Sequence, residues 1–197
     1  MRNFLRTAII AFPLLVPSLG WAVSPELLSL QPESKLWVEG GSTIKAWSCK
    51  AGDVTAVIDG APNAVSQVGA GEKGVKSVKV IVASEKMDCG NGTMNEHMKK
   101  ALKVSDNPNI EFKLASYDVA RGGEGVTGTL NGLLTLGGVT KPIAIAATGK
   151  TEGGALHVNG SYELAMTDYD LKPPTLMFGR IKVRDVVTVK FDLLLKN

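Results

Sequence analysis

His97 and His157 are the whole imidazole complement of this 197-residue chain. A catalytic zinc held by three histidines cannot be assembled from two, and no H-E-x-x-H run occurs. His97, with Asp88 or Glu96 near it in sequence, has the residue types for general acid–base work. Its blander role is a polar side chain at a helix edge, turned toward a pocket mouth. Asp168 and Asp170 stand two apart and could serve as paired carboxylates, although in a turn they more simply cap and solvate the loop. His157 falls on the polar parity of a strand. Neither a G-x-S-x-G nucleophile elbow nor a G-x-x-x-x-G-K-[ST] loop is present. This inventory leads us to expect no enzyme, no metal site and no catalytic residue. A catalytic alternative would rest on His97 alone.

Cys49 and Cys89 are the two cysteines. In an oxidising compartment an even pair reads most simply as a disulfide. Closing that loop would stabilise the fold by roughly 4 kcal/mol in the chain-entropy picture. The alternative is two separate thiols, one of them reactive, since neither cysteine has a C-x-x-C partner.

The elements that would position these groups are mostly strands. Thr93-Met94-Asn95-Glu96 has the form of a capping box. Met94, Met98, Ala101 and Leu102 then fall on one helical face, and Lys99, Lys100 and Lys103 sit where the helix dipole favours cations. Asn107-Pro108 ends that helix, and Ile110, Phe112 and Leu114 resume at period two. Further strands are expected over 35–38, 43–49, 54–59, 75–84, 110–119, 126–136, 143–150, 155–166 and 186–195. Glycine-rich breaks of hairpin type separate them, such as Gly40-Gly41, Gly137-Gly138 and Gly153-Gly154. Within each strand one parity is apolar and the other mostly polar, the pattern of an antiparallel sheet with one wet face. A closed barrel and a two-sheet sandwich both satisfy it. Gly128, Gly132 and Gly160 fall on the apolar parity, where they ease curvature or leave room beside a bound molecule.

The ends and the charge suggest export. Arg2 and Arg6 precede a mostly apolar run broken by Pro13 and Pro17, and Gly20-Trp21-Ala22 offers small residues at a cleavage site. We expect a signal peptide over 1–22, an irregular segment over 23–33 and one barrel domain over 34–197, in a periplasmic protein. Without Arg2 and Arg6 the 22 basic residues become 20, against 19 acidic ones. No basic tract stands out, so nucleic acid is not an expected partner.

By parity, the candidate wall of a ligand cavity is Val80, Val82, Phe112, Leu114, Leu134, Tyr162, Leu164, Val189 and Phe191. Met94, Met98 and Phe178 are candidates for its lid or mouth. Phe178 belongs to a long connection, 167–184, whose own apolar residues suit a binding lid or a cap on the barrel end.

Three stretches together resemble the YceI-like family. They are Met94-Asn95-Glu96-His97-Met98 with Ala101-Leu102 and Pro108-x-Ile110-x-Phe112; the run from Gly132 to Ile143; and Asp185-x-Val187-x-Val189-x-Phe191-x-Leu193. The opening strand over 36–43 also fits, so the resemblance spans residues 34–195. Cys49 and Cys89 lie outside that signature, and the small-residue stretch Gly60–Gly74 has no clear counterpart in it. The resemblance implies an all-β fold, an extended antiparallel lipocalin-like β-barrel of about eight strands with one short helix. It also implies an elongated apolar cavity for an amphipathic lipid, a polyisoprenoid or isoprenoid quinone, as ligand rather than cofactor. Handing over such an insoluble tail would involve transient membrane contact or a partner. The oligomeric state is left open, a dimer included. The alternative is a non-catalytic, stress-related envelope protein with a self-filled barrel, acting through protein partners at 171–178.

Overall fold

Period-two apolar runs joined by turns that need glycine produce a meander of hairpins. In the computed structural model, which describes residues 26–197 with side chains from Leu28 onward, both Gly137-Gly138 and Gly153-Gly154 have positive φ (56° and 87°, 57° and 76°). That backbone matches the right-handed twist of the flanking strands and carries a large penalty for residues with a Cβ. The expected signal peptide lies outside the described residues.

In chain order the elements are β1 (Glu26–Leu30), β2 (Lys35–Gly41), β3 (Ala46–Ala51), β4 (Val54–Gly60), α1 (Ala64–Gly69), β5 (Val75–Ala83), β6 (Met87–Asp88), α2 (Gly92–Ala101), β7 (Asn109–Tyr117), β8 (Ala120–Gly122), β9 (Gly125–Leu136), β10 (Val139–Glu152), β11 (Ala155–Ala165), β12 (Thr175–Leu176), β13 (Ile181–Lys182) and β14 (Val186–Lys196). Strands β1, β4, β5, β7, β9, β10, β11 and β14 pair in that order, each antiparallel to the next. β14 then returns to β1 through Ser29↔Lys196 and Leu30↔Leu195. The result is a closed eight-stranded antiparallel barrel, which decides between the barrel and the sandwich that the pattern left open. Toward the other end β14 pairs with β2, and β2 with β3. β3 in turn meets β6 only through Lys50 and Ala51.

Buried apolar residues form three groups rather than one continuous core. Leu28, Ile58, Val126, Leu156 and Leu195 close one end against Ala64, Val65 and Val68 of α1. Leu136, Leu164, Met166, Tyr169, Leu171 and Val187 pack together toward the opposite end. Cys49, Val82 and Met87 form a third group, with Met98 of α2 against it. Between these groups, inward residues such as Val80, Phe112, Leu134, Val189 and Phe191 are only half-buried. Their exposed surface faces a hollow.

Four local readings change. The segment 23–33 is not irregular throughout, because β1 is fixed by pairing to β4 and β14. The cap of α2 is Asn91, whose side-chain oxygen accepts from the Met94 N–H at 3.1 Å, so Thr93 lies inside the helix. Glu96 pairs with Lys99 instead of reaching back to the cap. The small-residue stretch 60–74 contains α1, and the connection 167–184 contains the β12–β13 hairpin.

Candidate functional site

The hollow is a cavity of about 580 Å³ running through the barrel. It lies within the roughly 300–1,000 Å³ usual for small-molecule sites. Its floor is apolar, with Ile58, Val68, Val126, Leu156 and Leu195 contributed by five different elements. Its wall carries Leu36, Val38, Val80, Val82, Phe112, Leu114, Leu134, Tyr162, Leu164, Val189 and Phe191. At the far end Ile44, Lys45 and Asn91 line it while being exposed to solvent, which locates a mouth there.

Alternation along each strand explains the wall, since residues two apart share a face. All nine wall candidates named from parity line the cavity, and so do Met94 and Met98. Phe178 does not: it stands clear of the barrel, fully exposed. Three of the inward glycines make room for the protein's own rings, whereas Gly128 lies against the Asp118 carbonyl. A Cβ at Gly132 would strike Phe112, one at Gly160 would strike Phe191, and one at Gly40 would strike Trp47. Removing side chains from one strand thus lets an aromatic ring of another strand lie flat against the wall.

The helix α2 forms the side of the mouth. Before Lys50, over residues 46–49, the outer edge of β3 has no strand paired to it among the described residues. The disulfide Cys49–Cys89 fastens the start of α2 to that edge. Asn95 locks the same corner: its side-chain oxygen accepts from the Cys89 N–H at 2.7 Å and its amide donates to Asp88 at 2.9 Å. That bond, with a second from the Gly90 N–H, holds the Asp88 carboxyl below its ordinary range. Farther along, Lys99 pairs with Glu85 at 2.5 Å. Met94, His97, Met98, Ala101 and Leu102 face the cavity.

Polar groups are sparse in the lining and unequally engaged. Away from the mouth, the Tyr117 hydroxyl accepts from the Val75 N–H at 3.0 Å and Asp118 accepts from the Thr129 N–H at 2.7 Å. Toward the mouth, the Trp47 indole N–H is buried with no hydrogen-bond partner among the described residues. Lys45, Asn91 and His97 share that end of the lining. Sequence reasoning did not single out Trp47, although its place on the inward parity of β3, opposite Gly40, was a usable signal.

The groups considered for catalysis do not converge. Asp88 is engaged by Asn95 and Glu96 by Lys99, and neither makes a hydrogen bond or ion pair with His97 among the described residues. His157 lies on β11 opposite Leu194 and does not line the cavity. Asp168 is exposed, 4.0 Å from Lys141, and Asp170 takes a left-handed conformation after the short helical turn 166–169. Tyr169 beside them is buried, and burial, ahead of Tyr162 and Asp168, pushes its hydroxyl up to about 12. Two glycine spacings mimic nucleotide-binding motifs. Gly69, Gly71 and Gly74 stand in the order G-x-G-x-x-G, but after a helix instead of between strand and helix. Gly149-Lys150-Thr151 lies within β10. Among the described residues no three His, Cys, Asp or Glu side chains converge to hold a metal ion.

Comparison with known proteins bears on the fold and the family. BcnA of Burkholderia cenocepacia superposes with a TM-score of 0.65 at 15% identity, over 84% of this chain and 99% of that one. A polyisoprenoid-binding domain from Saccharophagus degradans, implicated in plant cell wall breakdown, gives 0.59 at 13% identity over 86% and 97%. The YceI protein of Campylobacter jejuni gives 0.58 at 18% identity over 74% and 82%. No curated protein sequence matches. A family profile for the YceI-like domain matches residues 38–195, and this protein therefore belongs to the YceI-like family.

Proposed function

We propose that the protein is an exported carrier or reservoir for an amphipathic lipid, its polyisoprenoid or isoprenoid-quinone tail held in the barrel. The observation that carries this reading is one apolar cavity reaching from the α1 floor to a solvent-exposed mouth. A prenyl tail has no hydrogen-bonding needs along its length, and burying it gains roughly 25 cal/mol per Å², less the cost of ordering it. The Trp47 indole N–H, buried without a partner among the described residues, lies toward the mouth with Lys45 and His97, which favours tail inward and head group beside these three. No step of this reading needs a catalytic group. A self-filled barrel acting only through protein partners requires a packed interior, and about 580 Å³ of hollow argues against it.

The test is a titration with a prenylated quinone. Leu134 lines the wall near the C-terminal end of β9, and Leu134→Trp places an indole where the tail would run. The wild type should bind saturably and one-to-one, and the folded variant should lose most of that affinity. Equal binding by a stably folded variant would remove the cavity as the site.

A further inference from the structure

The β12–β13 hairpin ends in a tip that no packing within the barrel explains. Thr175 pairs with Lys182 and Leu176 with Ile181, and the turn is closed by Gly179 N–H donating to the Leu176 carbonyl at 3.2 Å. Within it Met177 and Phe178 both take left-handed backbone, with φ of 50° and 54°. That region disfavours residues with a large side chain. Here it turns two large apolar side chains outward, Met177 at 66% and Phe178 at 109% exposure. The hairpin does not hang free. Thr43 N–H donates to the Lys182 carbonyl at 3.0 Å, the Thr43 hydroxyl to the Arg180 carbonyl at 3.2 Å, and Arg184 N–H to the Gly41 carbonyl at 2.8 Å. Ile44, 65% exposed, sits on the turn that provides this support.

Within 171–184 and 40–48 the charges have one sign, with Asp170 and Asp185 just outside the first segment. Lys172, Arg180, Lys182 and Arg184 come from the hairpin and its flanks, Lys45 from the supporting turn, and all five are exposed. Neither 171–184 nor 40–48 contains an acidic residue. Among the described residues none of the five joins an ion pair. The same two segments form the rim of the mouth, since Ile44, Lys45, Leu176 and Ile181 line the cavity.

We propose that this face docks on an anionic lipid bilayer, with Met177, Phe178 and Ile44 inserted at the acyl boundary and the five cations against lipid phosphates. A projecting apolar tip ringed by lysine and arginine suits a bilayer, which offers apolar depth beneath a layer of negative charge. A protein partner would have to present a socket matched to this projecting tip. The inference extends the carrier reading, because docking there sets the barrel mouth on the bilayer and spares a tail from crossing water. Docking itself does not depend on cargo.

Flotation with vesicles tests it. The wild type should float with vesicles of equal parts phosphatidylglycerol and phosphatidylcholine, float poorly with phosphatidylcholine alone, and be released by high salt. Met177→Asn with Phe178→Asn keeps a residue type that tolerates left-handed backbone and removes the apolar tip. It should weaken vesicle affinity by at least about tenfold. Arg180→Gln with Lys182→Gln should remove most of the preference for anionic vesicles. Leu134→Trp should float like the wild type while losing the tail, so failure of the carrier reading is separable from failure of docking. Absence of wild-type flotation would overturn the proposal and direct attention to a protein partner. Flotation unchanged in the double-asparagine variant would overturn it equally.

Discussion

Cys49 is joined to Cys89 so that the strand edge of β3 and the approach to α2 become one rigid corner at the cavity mouth. The helix has no fully buried residue of its own. Its position depends on this bond, on the Asn95 contacts just beyond it and on Lys99 with Glu85.

Removing the bond with Cys49→Ala and Cys89→Ala should therefore cost stability and loosen α2 more than the barrel. The cysteines stand 40 residues apart, which corresponds to about 4 kcal/mol in the chain-entropy picture. Urea unfolding gives the global loss, and amide exchange should quicken most over 92–101. Uniform acceleration across β9 and β10 would contradict the tethering role.

The cap of α2 separates two readings of the same residues. Asn91→Ala should destabilise by about 1 kcal/mol, because it orphans the Met94 N–H. Thr93→Ala, inside the first turn, should change stability little. The reverse order in thermal unfolding would restore the Thr93 cap.

Gly160 and Phe191 share one space on the inner wall. Gly160→Ala should cost roughly 1–3 kcal/mol through overpacking. Part of that cost should disappear when Phe191→Leu is combined with it, a coupling that a double-mutant cycle measures. Strict additivity would show that the Ala146 carbonyl, also close to that Cβ, sets the cost instead of the ring.

Asp185 accepts from the Thr167 hydroxyl at 2.6 Å and from the Thr167 N–H at 2.9 Å. These bonds, the hydroxyl first, hold its carboxyl below the ordinary value of 3.8. Its folded value thus lies below its unfolded one, so its stabilisation is complete above the ordinary carboxylate range and is lost as pH falls through the folded value. Asp185→Asn should flatten the acid side of a plot of thermal midpoint against pH. An unchanged acid slope would remove Asp185 as a contributor.

Much of the barrel could be read from parity. Val80, Phe112, Tyr162 and Phe191 read as inward because a strand alternates faces, whatever its partners are. Closure could not be read that way, since β1 is short and is fixed only by β4 and β14, one near and one far in sequence. α1 escaped notice because six residues span less than two turns and show no usable period. Asn91 and Thr93 are both good cap residues, and only the tether at Cys89 and Asn95 selects between them. Phe178 reads from the sequence as a lid or mouth residue because it is large and apolar in a long connection. Turn backbone has no period, and nothing in the Met-Phe pair announces left-handed φ. The basic rim was equally hidden, being assembled from two segments with no basic tract in either.

The account stands on the barrel holding a lipid tail. The most direct measurement is to express the full chain, purify the protein without detergent, and record native and then denaturing mass spectra. The account predicts a noncovalent adduct with a mass in the prenyl-lipid range that vanishes on denaturation and is absent from folded Leu134→Trp. An adduct carried equally by Leu134→Trp, or a wild type that stays free of adduct even after incubation with prenyl lipid, would contradict it.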